Sequence, residues 1–120
     1  MHASPCLLAI AACLAAGCAA ATPPQAQLAN PASKHCVEAG GKLVIERTEK
    51  GEISVCMFED NRQCEEWALL RGRCPVGGIR VTGYATAAAR HCAIAGGRWT
   101  ITANSGTADE QGTCDLGKAE

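Results

Sequence analysis

The chain has 120 residues, a formal net charge of −1 and nine cysteines. A chain of this size buries only a modest core, so covalent cross-links are expected to contribute to its stability. The sequence has no basic patch or basic amphipathic helix, which argues against binding to nucleic acid or, through such a helix, to a membrane surface.

The first 18 residues have the pattern of a bacterial lipoprotein signal peptide. The apolar run from Leu7 to Ala16 is shorter than the roughly 20 residues that cross a bilayer, but it fits the hydrophobic region of a secretory signal. It ends in LAAGC, and small residues before Cys18 are typical of a cysteine that is acylated and becomes the first mature residue. We therefore predict a signal peptide over residues 1–18 that ends at lipid-modified Cys18. The match IAAC at Cys13 competes with it, and an ordinary signal cut near Ala19 to Ala21 is the alternative.

Residues 19–29 are rich in Ala, Pro and Gln and lack apolar periodicity, which predicts a flexible tether. Ala19 follows the lipid-modified cysteine where an inner-membrane retention signal would have Asp. We therefore expect an outer-membrane lipoprotein that faces the periplasm, with a secreted or soluble periplasmic protein as the alternative. The lipid anchor to the membrane is the one partner that the sequence predicts, and it predicts no cofactor.

Removing the signal peptide leaves an even number of cysteines in an exported chain of about 100 residues. An even number of cysteines in an exported chain of this length predicts that they pair as disulfides. The six cysteines are Cys36, Cys56, Cys64, Cys74, Cys92 and Cys114.

The predicted domain begins with a helix and a hairpin. Asn30 is a good N-cap, and the following proline suits a first helical position, so we predict a short helix over Pro31 to Ala39. Gly40 can end this helix in a left-handed conformation. Alternating apolar residues then predict a β-hairpin, roughly Lys42 to Arg47 with Ile53 to Phe58, and the glycine of EKGE is expected to take positive φ in its turn.

A second helix is predicted after the hairpin. Asp60 is the expected cap, and Gln63 three residues later resembles a capping box. Cys64 and Trp67 would share one face of this helix, and Gly72 would end it.

The pattern then restarts after a glycine-rich stretch. Thr86 can cap a helix over Ala87 to Ala95, and the strand RWTIT and a polar turn lead to Cys114. The two stretches share, at a constant offset, Ala32/Ala88, His35/His91, Cys36/Cys92, Ala39/Ala95, Gly40/Gly96, Gly41/Gly97 and Ile45/Ile101. A two-residue insertion in the second turn accounts for the longer gap before Cys114.

These patterns predict an α+β protein with an internal duplication. The expected architecture is a small disulfide-stapled helix–β-hairpin–helix unit at residues 30–74, a linker at 75–85 and a shorter, truncated helix–hairpin repeat at 86–116. The second copy keeps only the counterparts of Cys36 and Cys56, so Cys92–Cys114 and Cys36–Cys56 are the expected pairs. Cys64–Cys74 then remains, and a crossed pairing of Cys36–Cys64 with Cys56–Cys74 is the alternative.

The first unit resembles the domain of unknown function 333 family of small bacterial envelope lipoproteins, which are often labelled hemolysins. The residues that carry the resemblance are Asn30-Pro31-Ala32-Ser33, Cys36, Gly40-Gly41, Gly51, Cys56, Cys64, Trp67, Gly72 and Cys74. The resemblance implies an envelope location and a small α+β domain, and it implies no established active site. No pore-forming segment in the sequence supports the hemolysin label.

Few residues suggest a catalytic or metal-binding role. His35-Cys36 and His91-Cys92 invite a catalytic pair or a metal site, but neighbours on a helix point about 100° apart, and metal-binding spacings such as C-x₂-C are absent. We therefore assign these cysteines to disulfides and expect no metal.

The remaining polar and aromatic candidates also have structural explanations. Glu65-Glu66 is predicted to be a solvated helix start that interacts with the positive helix end. Trp67 is predicted to anchor the core rather than to stack on a sugar, and the sequence leaves both roles open for Trp99 in the second copy. The double glycines at 40–41 and 96–97 are predicted to stop a helix and enter a strand, because no phosphate-loop residues follow them.

These observations favour a non-enzymatic binding or structural module. The alternative is a protease-inhibitor-like module, in which a rigid loop such as Arg47 to Glu52 or Arg71 to Arg73 enters an enzyme pocket. An enzyme would need a cleft with convergent polar groups, which the sequence does not show.

Overall fold

The computed structural model describes residues 30–117. The predicted signal peptide, its Cys18 and the tether at 19–29 lie outside the described residues. The described part of the chain combines helices with two antiparallel sheets, so the predicted α+β class is confirmed.

Three helices and five strands make up the fold of residues 30–117. In chain order they are α1 (Pro31–Glu38), β1 (Lys42–Thr48), β2 (Gly51–Met57), β3 (Gln63–Glu65), α2 (Glu66–Leu70), α3 (Ala87–Ile94), β4 (Arg98–Ala103) and β5 (Gln111–Asp115), with a 3-10 turn at Glu59–Asn61. The first three strands form one sheet in the order β1-β2-β3, and β4 and β5 form a separate hairpin. We call residues 30–74 the first half and residues 86–117 the second half.

The helices α1 and α3 end in the same way. The N–H of Gly40 donates to the carbonyl of Val37 at 3.0 Å, and the N–H of Gly41 donates to that of Cys36 at 2.9 Å. This is the Schellman arrangement, and it needs the positive φ of 95° that Gly40 adopts. At the end of α3, Gly96 and Gly97 make the corresponding bonds at 3.0 and 2.9 Å. The double glycines are therefore helix stops, as predicted.

The first hairpin also forms where the sequence predicts it. Its two strands pair in register from Lys42 opposite Met57 to Thr48 opposite Gly51. Gly51 has a φ of 121°, which a residue with a side chain rarely adopts. The hydroxyl of Thr48 donates to the carbonyl of Gly51 at 2.6 Å and closes the turn.

The start of the second helix was predicted wrongly. Asp60 does not cap a helix; it and Asn61 both have a φ of 60°, and they reverse the chain so that the following residues run back along β2. Gln63 to Glu65 then form strand β3, in which Cys64 lies opposite Cys56. The helix begins only at Glu66. The pairing of β3 with β2 is a tertiary contact, which local helical spacing cannot reveal.

The first sheet is covered on both faces. On the face that carries Cys56 and Cys64, the disulfides pack with Ala68 and Leu69 of α2. On the other face, Val55 packs against Ile94 of α3 and against Val81. The helix α3 therefore contributes to the core of the first half as well as to its own hairpin.

Three disulfides link these elements. Cys36–Cys56 joins α1 to β2, Cys92–Cys114 joins α3 to β5, and Cys64–Cys74 joins β3 to the loop after α2. These are the pairs expected from the duplication, and the crossed alternative is contradicted. Each pair has a Cα–Cα distance of 5.7 Å, which is a usual separation for a disulfide.

Candidate functional site

The predicted Cys–His pairs hold no free thiol. Cys36 and Cys92 are both buried and disulfide-bonded, so neither provides a thiolate nucleophile or a metal ligand. Among residues 30–117, no group of three or more His, Cys, Asp or Glu side chains is placed to hold a metal ion. Cys36 and Cys92 instead link each helix covalently to a strand of the hairpin that follows it.

The pair Glu65-Glu66 has two roles rather than one. The carboxylate of Glu65 caps α2 by accepting from the N–H groups of Trp67 at 3.0 Å and Ala68 at 2.9 Å. The prediction of a solvated Glu66 is wrong, because this residue is 4% exposed and accepts a hydrogen bond from the hydroxyl of Ser33 at 2.7 Å. The contact joins α2 to α1 across 33 residues of sequence, so only the tertiary fold reveals it.

A polar cluster joins α3 to the first sheet. The guanidinium of Arg90 donates to both carboxylate oxygens of Glu46, at 2.7 and 3.2 Å, and to the amide oxygen of Gln63 at 2.8 Å. The Nε2 atom of His91 lies 2.8 Å from the same carboxylate and donates to it when it carries the proton. Sequence reasoning missed this cluster, because nothing in the local pattern links Glu46 to residues more than 40 positions away.

The Glu46 cluster predicts an acid-sensitive contact. The hydrogen bond from Arg90 holds the pKa of the Glu46 carboxyl below its usual range. A lowered folded-state pKa stabilises the fold above the ordinary glutamate pKa, and this stabilisation is lost as the pH falls through the folded-state value. We expect Glu46→Gln to be less stable than the wild type at neutral pH and to lose less stability on acidification.

Denaturant unfolding between pH 7 and pH 3 checks this expectation. Glu52→Gln is the matched control, because its ion pair with Arg47 is 3.5 Å long and exposed, and such pairs contribute little. If Glu46→Gln kept the full acid sensitivity of the wild type, the cluster would not be its source.

The two tryptophans lie in different surroundings. Trp67 is partly buried, and the guanidinium of Arg71 lies over its ring at 5.2 Å from the centroid. Trp67 is not one of the buried residues of the disulfide cluster or of the partly buried residues that pack against it, so its predicted role as a core anchor is not confirmed. Trp99 in β4 is also partly buried, and its indole N–H donates to the carboxylate of Glu110 at 3.0 Å.

Trp99 forms part of an open groove on the second half. The groove has a volume of about 320 Å³ and lies between α3 and the β4–β5 hairpin, next to the loop that precedes α3. The groove is lined by small, aromatic and aliphatic residues and by one carboxylate: Gly83, Tyr84, Ala85, Ala89, Ala93, Gly97, Trp99, Ile101 and Glu110. Tyr84 and Ile101 are more than 40% exposed. The groove combines aromatic and aliphatic side chains with the carboxylate of Glu110.

The family comparison addresses the first half. The family described as Domain of unknown function (DUF333) matches residues 27–73. The protein named Uncharacterized protein YoaF from Escherichia coli K12 is 39% identical over 74 residues, which cover 61% of this chain and 88% of the relative. The protein of the same name from Shigella flexneri matches to the same extent. This chain belongs to the DUF333 family. No solved structure matches it.

The groove lies beyond the part of the chain that matches DUF333. All of its lining residues follow position 82, whereas the match ends at residue 73. Within the matched part, the residues that carried the resemblance serve the fold: cysteines form disulfides, and glycines end helices or form the turn. These cysteines and glycines of the matched part are therefore accounted for by folding.

The second half also exposes positions whose counterparts in the first half are buried. Ala32 and Cys56 are fully buried, whereas Ala88 and Cys114 at the corresponding positions are exposed. Leu116, the counterpart of the partly buried Phe58, is 47% exposed. In the first half, β3 and α2 cover these positions. Within the described residues, the second half has no elements that correspond to β3 and α2.

The two loops proposed for an inhibitor role are hydrogen-bonded turns. The β1–β2 turn carries the exposed Arg47–Glu52 ion pair, and the loop after α2 contains Arg73, whose guanidinium donates to the carbonyl of Leu116 at 2.6 Å. The second loop is therefore held against the second half. No helix within residues 30–117 is long and apolar enough to cross a bilayer.

Proposed function

We propose that this protein is a lipid-anchored component of the bacterial envelope that binds another molecule without catalysing a reaction. The LAAGC pattern before Cys18 supports the lipid anchor, and Ala19 after it supports an outer-membrane location facing the periplasm. The aromatic and aliphatic side chains of Tyr84, Trp99 and Ile101 in the groove support a binding role.

We also infer that the two halves are copies of one ancestral unit, of which the second is truncated. Equivalent glycines end α1 and α3 with the same pair of hydrogen bonds. Equivalent cysteines join each helix to the return strand of its hairpin, across 20 and 22 residues. Two independent features at the same relative positions support a duplication more strongly than the sequence identities alone.

One observation carries the proposed binding function: side chains that are buried in the first half are exposed at the equivalent positions of the second half. A small soluble domain rarely exposes a contiguous apolar surface unless that surface binds something. Ala88, Cys114 and Leu116 are exposed in the second half, whereas at the equivalent positions of the first half Ala32 and Cys56 are fully buried and Phe58 is partly buried. The second half is therefore the proposed binding surface.

Site-specific photo-crosslinking in intact envelopes tests this function. A photoreactive residue at Ile101 is expected to form one discrete covalent adduct. The same residue at Ile45 is the matched control, because Ile45 is the counterpart in the first hairpin and is exposed to a similar extent, 56% against 44%. Equal labelling from both positions, or no adduct from Ile101, would contradict a specific binding surface on the second half.

Acylation of Cys18 is the prediction that tests the anchor. Growth with a clickable fatty acid is expected to label the wild-type protein and to leave Cys18→Ser unlabelled, because the thiol is the attachment point for the diacylglycerol. Cys13→Ser is the control and is expected to keep its label. Equal labelling of the wild type and Cys18→Ser would show that the anchor lies elsewhere.

A further inference from the structure

We propose that the groove between α3 and the β4–β5 hairpin binds an arginine side chain of a partner protein. The guanidinium stacks on the rings of Trp99 and Tyr84 and pairs with the carboxylate of Glu110, all three of which line the groove. This proposal rests on the proposed binding function, and it specifies the chemical group that the groove recognises.

The carboxylate of Glu110 is held at the groove by two hydrogen bonds. Its Oε1 atom accepts from the indole N–H of Trp99 at 3.0 Å, and its Oε2 atom accepts from the backbone N–H of Gly106 at 2.8 Å. Both donors are neutral, and among residues 30–117 no Lys, Arg or His side chain forms an ion pair with Glu110. Each carboxylate oxygen has a second lone pair. The groove therefore contains a partly buried acidic side chain that can still accept hydrogen bonds from a cation.

The indole ring of Trp99 is also held in place. Gly112 of β5 lies opposite Ile101 in the hairpin, and a Cβ atom at Gly112 would lie 2.5 Å from Cε2 and from Cζ2 of the indole. The ring therefore lies against the backbone of β5, in space that a side chain at this strand position would fill. A ring that is already fixed loses little conformational freedom when a ligand binds to it.

Aromatic rings beside a carboxylate favour a cationic ligand. Cations are attracted to the faces of aromatic rings, whereas the carboxylate repels an anion. The first half already contains such a contact, because the guanidinium of Arg71 lies 5.2 Å from the ring centroid of Trp67. Within residues 30–117, no cation lies over Trp99 in this way.

The lining of the groove favours a cation over a sugar as well. Sugars also stack on aromatic rings, but their hydroxyls need several polar partners. Tyr84 and Glu110 are the only lining residues that offer a polar side-chain group. The other lining residues are glycines, alanines and Ile101, together with Trp99, whose N–H is already bonded to Glu110.

The size and shape of the groove favour a side chain of a partner protein over a free small molecule. Its volume of about 320 Å³ is at the low end for small-molecule sites, which usually enclose their ligands, whereas this groove is open. Tyr84 and Ile101 are 41% and 44% exposed and leave apolar surface for the residues that flank the bound side chain. Arginine fits better than lysine, because a planar guanidinium can stack on a ring and pair with a carboxylate at the same time.

A short peptide probe tests the proposal. Acetyl-Gly-Arg-Gly-amide is titrated into the oxidised, isotope-labelled full chain carrying Cys18→Ser, and NMR follows the indole N–H of Trp99 and the amide of Gly106. The matched control peptide contains citrulline, which keeps the shape of arginine but carries no charge. The chain also carries Lys118→Ala, because Lys118 lies outside the described residues and its ammonium is thereby removed as a competitor.

We expect saturable shifts at both N–H groups with a dissociation constant of about 1 mM, and no saturable shifts with the citrulline peptide. Glu110→Gln removes the charge but keeps an oxygen acceptor, and it is expected to weaken binding by about fivefold or more. Asp109→Asn is the matched control, since Asp109 is exposed and does not line the groove; its effect should be less than about twofold. Tyr84→Leu keeps an apolar side chain but removes the ring, and it should weaken binding by about threefold.

Several outcomes would overturn the proposal. No binding of the arginine peptide, equal binding of the citrulline peptide, or equal effects of Glu110→Gln and Asp109→Asn would refute recognition of a cation in the groove. Tighter binding of the corresponding lysine peptide would assign an ammonium group instead, and shifts with chitobiose but not with the arginine peptide would assign a glycan.

Photo-crosslinking in envelopes separates this inference from the proposed binding function. Loss of the adduct from Ile101 in Glu110→Gln, but not in Asp109→Asn, supports arginine recognition by the groove. An adduct from Ile101 that persists unchanged in Glu110→Gln would leave the proposed binding function standing and refute this inference alone.

Discussion

Replacing both Cys36 and Cys56 by alanine is expected to lower the free energy of unfolding by about 3 kcal/mol from loop closure alone. A further loss of roughly 1 kcal/mol or more is expected from packing, because both residues are fully buried in the disulfide cluster. Denaturant unfolding of the oxidised proteins measures the difference. For a domain of this size, the total loss is a large fraction of the whole stability.

The matched control is the double variant Cys92→Ala with Cys114→Ala. This disulfide closes a loop of nearly the same length, 22 residues against 20, so the two chain-entropy contributions are nearly equal. Cys114 is exposed, and its removal leaves a smaller cavity. A loss from the second pair that equals or exceeds the loss from the first would contradict the assignment of the main core to the first disulfide cluster.

Gly41→Ala is expected to destabilise the protein by about 2 kcal/mol through overpacking. A Cβ atom at this position would overlap the sulfur of Cys56 and lie 3.1 Å from that of Cys36. The backbone angles of Gly41 are outside the positive-φ region, so the cost is steric. The free energy of unfolding from denaturant titration is the measurement.

A double-mutant cycle separates this steric cost from a general effect of losing a glycine. In the background without Cys36 and Cys56, the sulfurs are gone, and Gly41→Ala should cost little. Gly40→Ala is the control, since this glycine has open space around it but a φ of 95°, and its backbone penalty should persist in both backgrounds. A penalty at Gly41 that is unchanged without the disulfide would show that the sulfurs are not the obstacle.

The crowding at Gly41 also explains the second residue of each double glycine. At Gly97, a Cβ atom would lie 2.7 Å from the sulfur of Cys114 and 2.9 Å from that of Cys92. The first glycine of each pair supplies positive φ, and the second leaves room for the disulfide. The sequence shows that both glycines recur, but the sulfur contact that requires the second one is visible only in three dimensions.

Local patterns determined the parts of this fold that depend on neighbours in the chain. The cap at Thr86, the helix stops at Gly40 and Gly96 and the turn at Gly51 follow from residue chemistry within a few positions. The repeated residues extended this reach, because pairing Cys92 with Cys114 within the second stretch predicted Cys36–Cys56 by analogy, although the crossed pairing of Cys36–Cys64 with Cys56–Cys74 stayed open until the structure contradicted it. Gly40 and Gly51 lie within the part of the chain that matches the DUF333 family.

Tertiary contacts decided the rest. The short strand β3 exists because β2 pairs with it, although its residues also fit a helical pattern. Glu66 is buried because Ser33 of α1 donates to it, and Glu46 is bound by Arg90 across 44 positions. The exposure of Ala88 and Cys114 depends likewise on elements that the second half lacks. Burial and strand pairing are properties of segments that meet in space, and the local sequence of one segment does not record which other segment covers it.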